Sequence, residues 1–230
     1  MKKFLYALFF LNFIITSNVV EASNVINVRC QAAAQRPNVR ISFVSGEMLY
    51  DHTKVNRTLA RLHEKEYGGQ PYDGFQINGL STYTLETEIN FRIIKQVFND
   101  GVTCFYPADI ELIVSMKNPT IYIARALKKG TCAYNITLRH EQTHQQINFE
   151  TLQAYLPYIK ERFIKIIKKY ALISRPKDDI SLEKVQTGLQ KRYSDAINAV
   201  IEEVKKEINL EQQKLDNLEN YNYEQSLCKN

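Results

Sequence analysis

The sequence lacks most of the features that would assign it at a glance. Histidine is scarce, with four in 230 residues. No C-x-x-C pair occurs, so the usual cysteine half-site of a structural zinc is missing. There is no internal repeat and no low-complexity segment, which excludes repeat architectures and a biased, disordered chain. Charge of one sign is also lacking: the formal balance is +5, and basic residues are interleaved with acidic ones. Such a pattern leaves no nucleic-acid footprint.

Long apolar runs are confined to the N-terminus. Lys2 and Lys3 precede a nearly continuous apolar stretch from Phe4 to Val20, and Val20-Glu21-Ala22 follows as a small-residue cleavage site. Residues 1–22 therefore read as a secretory signal peptide. Cys30 follows Asn27-Val28-Arg29, which is no lipid-attachment box. Cleavage leaves one domain, 23–230, of about 208 residues and a charge of about +4, with no stable membrane span. The expected location is periplasmic or secreted, and the Ile-, Asn- and Lys-rich composition suits a bacterium with an AT-rich genome. All four cysteines, Cys30, Cys104, Cys132 and Cys228, lie beyond the signal. An even count in an exported chain implies two disulfides, in one of three connectivities. Cys104 and Cys132 bracket two expected strands, so a local bridge there would leave Cys30 to pair with Cys228.

The chemistry is concentrated in one pentad, His140-Glu141-Gln142-Thr143-His144. Two histidines four residues apart on a helix point the same way and can bind one metal ion. Glu141 beside them can take the proton of an activated water. The cofactor this pattern expects is zinc, held by His140 and His144. A catalytic zinc takes a third protein ligand, and the extended pattern H-E-x-x-H-x-x-G-x-x-H does not supply it, because Ile147 stands in place of the glycine. Glu150 occupies the position of the last histidine. The remaining candidates lie on a later helix: Glu202, Glu203, Glu207, Glu211, Asp216 and Glu219. His52 and His63 read as surface or packing residues.

Periodicity gives the surroundings. Val39, Ile41 and Phe43 suggest a short strand, and Lys54 to Glu66 a short helix. Half of the eight glycines fall between Gly68 and Gly79, marking a loop. Tyr83, Leu85, Thr87, Ile89, Phe91 and Ile93 alternate with polar residues in a half-buried strand. After the turn signal Asn99-Asp100-Gly101, three further strands are expected over Val102–Tyr106, Asp109–Met116 and Thr120–Leu127, with Asn118-Pro119 as a break. Short connections of this kind predict an antiparallel meander. Two apolar seams follow, Phe149 to Tyr170 and Leu182 to Ile208, with Pro157 expected to kink or restart the first. Joined by a short polar loop around Arg175-Pro176, they predict an antiparallel helical hairpin. The expected fold is α+β: a small antiparallel meander sheet over 23–130, then an HExxH helix and a long helical hairpin over 131–230. Folding the arms back places His144 level with Glu207 and His140 with Glu211, and returns Asp216 and Glu219 to the pentad.

Several motifs recur together and in order: Tyr67-Gly68-Gly69, Cys104-Phe105-Tyr106-Pro107, Gly130-Thr131-Cys132-Ala133-Tyr134, the pentad, Leu215-Asp216-Asn217-Leu218-Glu219-Asn220-Tyr221, and a closing Cys228. From about Cys30 to its end the chain resembles a group of exported bacterial proteins described as predicted secreted zinc-dependent proteases, zincin-like by their HExxH. The resemblance implies a peptidase. Relatives carry D-x-x-T-x-H-G near the end; here Asp216 matches the aspartate, Glu219 stands for the threonine and Tyr221 for the histidine. Asp216 or Glu219 then replaces the missing imidazole as third ligand.

The expected function is an exported zinc metallopeptidase acting on a peptide or protein substrate, with Glu141 as general base. In zincin-like proteins a strand before the metal helix pairs with substrate, and Thr120 to Ala126 is the strand in that place. Two alternatives remain: a zinc amidase acting on cell-wall material, and a non-catalytic periplasmic protein that binds zinc or a partner.

Overall fold

One strand organises the sheet. In the computed structural model, which describes residues 30, 37–68, 76–170, 172–174 and 181–228, the elements follow as β1 (Asn38–Ser45), β2 (Leu49–Asp51), α1 (Asn56–Tyr67), β3 (Gly79–Val97), β4 (Thr103–Ile123), α2 (Cys132–Lys169), β5 (Leu172–Ser174), α3 (Leu182–Leu215) and α4 (Leu218–Ser226). The signal segment, the glycine loop over 69–75 and Arg175-Pro176 lie outside the described residues. β3 and β4 form a long antiparallel hairpin around Asn99-Asp100-Gly101, with Gly101 at a φ of 81°. That left-handed conformation suits glycine.

The meander expected from the sequence does not form, and the sheet is mixed. β1 and β2 run parallel to β4, while β3 and β5 run antiparallel to it. β3 fills one edge of β4. The other edge carries three short strands in tandem: β5 against Thr103–Phe105, β1 against Asp109–Met116 and β2 against Thr120–Tyr122. The gaps between them fall at Pro107 and Pro119. Proline cannot donate to a ladder, so neighbouring strands stop there. β4 itself continues through both prolines by accepting a bulge near each, seen as register shifts opposite Phe91/Ile93 and Thr82/Thr84. Asn118, beside Pro119, has a φ of 49°.

α2 is a single helix of 38 residues that runs through Pro157 rather than restarting there. At about 1.5 Å per residue it is about 57 Å long, comparable to the length of β4 at about 3.3 Å per residue. α3 packs on it in the opposite direction: Gln212 meets His144, Glu203 accepts from the Tyr158 hydroxyl at 2.6 Å, and Tyr193 meets the Phe163 ring. The connection is not the short polar loop expected, since β5 lies within it and pairs with β4. The core lies between these helices and one face of the sheet. Ile89, Phe105, Ile110, Leu112 and Val114 pack there against Leu152, Phe163, Leu189, Ile197 and Val204. On the opposite face Leu59 of α1 covers Leu80 and Ala124.

The disulfides are Cys30–Cys104 and Cys132–Cys228. A local Cys104–Cys132 bridge is excluded by β4 being one strand. Its start and its end are separated by about 60 Å of extended chain, and bonded cysteines have Cα atoms within about 7 Å.

Candidate metal centre

Gly130, at a φ of 83°, turns the chain into α2, and Thr131 caps the helix by accepting from the Tyr134 N–H at 3.3 Å. Two turns later the helix presents His140 and His144 side by side, both buried. Their Nε2 atoms lie 3.0 Å apart. Asp216, where α3 ends, brings its Oδ1 to 3.2 Å from the first and 3.1 Å from the second. Its side chain is 37% exposed, so it forms the solvent-facing corner of the triangle.

This triangle fits a metal ion. A tetrahedral ion with bonds of about 2.0–2.1 Å keeps its ligand atoms about 3.4 Å apart, close to the three distances observed. The tautomers fit as well. Glu224 lies 3.0 Å from His140 Nδ1 and can only accept there when ionised, so the hydrogen sits on Nδ1. Gln212 donates its Nε2 to the His144 carbonyl oxygen at 3.0 Å and to Asn148, which leaves its Oε1 to accept from His144 Nδ1. Both Nε2 lone pairs therefore face the carboxylate. Three acceptors converging on one point can share a cation, and among the described residues these three are a group able to hold a metal.

The triangle also draws positive charge in the form of protons. Burial works against charge on His144, but the Asp216 hydrogen bond and the Glu141 charge outweigh it and raise its pKa to about 9. His140 is raised by the same balance. Burial alone would raise the Asp216 pKa, yet its bonds to the two imidazoles hold it well below the ordinary range. The Tyr221 hydroxyl also donates to Asp216, and its ring lies 5.2 Å from that of His140.

Glu141 is buried beside the cluster. Ser81 Oγ donates to its backbone carbonyl at 2.7 Å. Its carboxylate lies against the bare Cα of Gly79, where a β-carbon would come within 2.4 Å of Oε1. Burial pushes its pKa up, against the pull of the two histidines. Gln145 completes the seat, donating to the carbonyls of Thr82 at 2.9 Å and Thr120 at 3.4 Å and so pinning α2 to the sheet.

Of the residues singled out from sequence, His140, His144 and Asp216 come together, with Glu141 adjacent. Glu219 is exposed in the first turn of α4 and Glu150 is exposed beside Gln146, neither of them in the triangle. Glu203 pairs with Arg162 and Glu211 with Lys214, as surface helix charges do. Thr120–Tyr122 is an inner stretch of β4, paired on both sides by β2 and β3, so it is no free edge for a substrate. His52 bonds the Leu127 carbonyl at 2.8 Å. Gln212, Glu224 and Ser81 carry no signal in the sequence, and Gly79 reads there only as the end of the glycine-rich loop. The register of α3, displaced by five residues so that Gln212 rather than Glu207 meets His144, hid the first of them.

No match to this chain is found among protein-family models, curated proteins or solved structures. Among the described residues, no helix is long and apolar enough to cross a membrane. The two disulfides are consistent with an exported protein.

Proposed function

We propose that the protein is an exported zinc-dependent peptidase, periplasmic or secreted, that hydrolyses peptide bonds. The observation carrying this reading is the convergence of the His140, His144 and Asp216 acceptor atoms beside a buried Glu141. Two imidazoles and a carboxylate suit zinc, and these three residues would hold it. Zinc held there supplies Lewis acidity, making a water acidic near neutral pH and polarising a substrate carbonyl.

The chain's own residues do the rest. Glu141, raised in pKa by burial, accepts the proton of the attacking water and delivers it to the departing amine. Ser81 anchors its backbone, and the bare Cα of Gly79 leaves the space its carboxylate occupies. Gln212 and Glu224 fix the imidazole tautomers. Tyr221, whose hydroxyl donates to Asp216, is a phenol beside the triangle able to donate to a developing oxyanion.

Two measurements test this. Zinc stoichiometry on the oxidised protein should be one, and fall to near zero in both His140→Ala and Asp216→Ala. A peptide library should be cleaved by the wild type and not by a zinc-loaded Glu141→Gln variant. Full biological effect in Glu141→Gln, with loss in His140→Ala, would replace hydrolysis by zinc binding alone. Cleavage of cell-wall fragments but not of peptides would replace the substrate class.

A further inference from the structure

Of the described helices, α4 has the least support of its own. It spans nine residues and buries none of them. A helix this short is marginal in water by itself, so its position depends on what ties it down. At its start it continues from α3 through Asp216 and Asn217. At its end Cys228 is bonded to Cys132, at the beginning of α2. Between these anchors Tyr221 donates to Asp216, and Glu224 accepts from His140 at 3.0 Å. The two bridges of the molecule differ in access. Cys30 and Cys104 are 1% and 0% exposed, whereas Cys132 and Cys228 are both exposed.

We propose that the Cys132–Cys228 disulfide is a redox-sensitive latch that holds Glu224 and Tyr221 on the metal centre, so that full metal affinity is acquired only once this bridge has formed. The proposal rests on the reading of His140, His144 and Asp216 as metal ligands, and names a regulation of that site. The latch opens by exchange with a dithiol reductant. A thiolate of the reductant attacks one exposed sulfur, the Cys132–Cys228 bond breaks, and a mixed disulfide forms. The second thiol of the reductant then displaces it. Two electrons pass to the protein: Cys132 and Cys228 leave as thiols carrying the two protons of the reductant, which leaves as its own disulfide. The buried Cys30–Cys104 bridge stays out of reach of the same reagent.

With the latch open, α4 is attached at one end only, and none of its residues is buried to keep it docked. His140 loses the acceptor that fixes its Nδ1 hydrogen, and Asp216 loses the Tyr221 hydroxyl. Removing an outer partner of a metal-bound histidine lowers metal affinity by about 10–100-fold. A chain still in a reducing compartment would thus hold zinc weakly, and one that had been exported and oxidised would hold it tightly.

The test uses the full chain in two readouts. Hydrogen exchange of the 218–226 amides in metal-free protein reports the latch. Competition with a chromogenic chelator reports zinc affinity. In Cys132→Ser/Cys228→Ser, and in wild type reduced under native conditions to two free thiols, the α4 amides should exchange as an unstructured tail does. Zinc affinity should fall about 10–100-fold, and adding Glu224→Ala to the double variant should weaken it no further. Reoxidation of the reduced wild type should restore both readouts, which excludes general unfolding as the cause. Unchanged exchange and unchanged affinity in the double variant, with zinc lost in Asp216→Ala, would overturn the latch and leave the metal centre standing. Release of α4 in a protein whose oxidised form holds no zinc would overturn the metal reading, and the regulation with it.

Discussion

The two halves of α2 are built on opposite principles. From Leu152 onwards its buried residues are apolar: Leu152, Ile159, Phe163 and Ile167. Before that point they are polar: His140, Glu141, His144, Gln145 and Asn148. The C-terminal half needs only area to pack against, and any well-shaped apolar surface would serve. The N-terminal half depends on specific partners for its buried polar groups, because an unmatched one costs about 1–3 kcal/mol; Gln145 Oε1 and Asn148 Nδ2 have none among the described residues. Those partners arrive from three directions: Ser81, Thr82 and Thr120 from the sheet, Gln212 and Asp216 from α3, Glu224 from α4. One half of the helix holds the fold together, and the other is held by it.

This division can be broken from either side. The largest effect belongs to the apolar half. Phe163→Ala removes a fully buried ring, and urea denaturation should show a loss of about 3–5 kcal/mol, with zinc stoichiometry unchanged in the folded fraction. A loss of zinc in protein shown to be folded would mean that the halves are not separable.

Gly79→Ala acts on the polar half. The added β-carbon displaces the Glu141 carboxylate, and a misplacement of about 1 Å can cost about 100-fold in rate. Peptide cleavage should fall by that order while zinc affinity stays at the wild-type value. Equal cleavage by this variant would remove Gly79 from the account of Glu141. Gln212→Ala should show the reverse split, weakening zinc by about 10–100-fold through the freed His144 ring, as read by chelator competition.

Acidity gives the smallest of these effects, and it should be confined to the polar half. In metal-free protein the pKa of His144 is raised from 6.5 to about 9. The protonated ring therefore stabilises the fold fully below its unfolded value near 6.5, and this contribution is lost as pH rises through about 9. The denaturation midpoint of chelator-treated protein should decline over that window, and the decline should flatten in His144→Ala. A midpoint that rises there would reverse the sign of the His144–Asp216 interaction.

How much of this could be read in advance depended on the range of the signal. The alternation from Tyr83 to Ile93 is local, and β3 follows it with its polar residues outward. β4 misled because a bulge inverts which residues face the core. Phe105 faces the helices, then Ile110, Leu112, Val114 and Met116 do so, shifted by one in parity, and Ile121 returns to the first. A single strand with two inversions reads as three strands, and three strands imply turns between them. The meander and the Cys104–Cys132 bridge both followed from that step. In the site, the pentad is a local pattern and was legible. Its partners are set by the axial position of α3, which depends on the passage of the chain through β5, a three-residue strand with no periodicity to mark it.

Asp216 is also where α3 stops, its backbone N–H bonded to the Gln212 carbonyl at the helix end. The aligned peptide dipoles of a helix leave about half a negative charge at that pole. The carboxylate of the triangle is thus borne on the negative end of a 34-residue helix, so the field of the backbone adds to its own. The same field would draw a divalent cation inward, and under the proposed peptidase activity it favours a neutral or cationic segment of substrate on the Asp216 side.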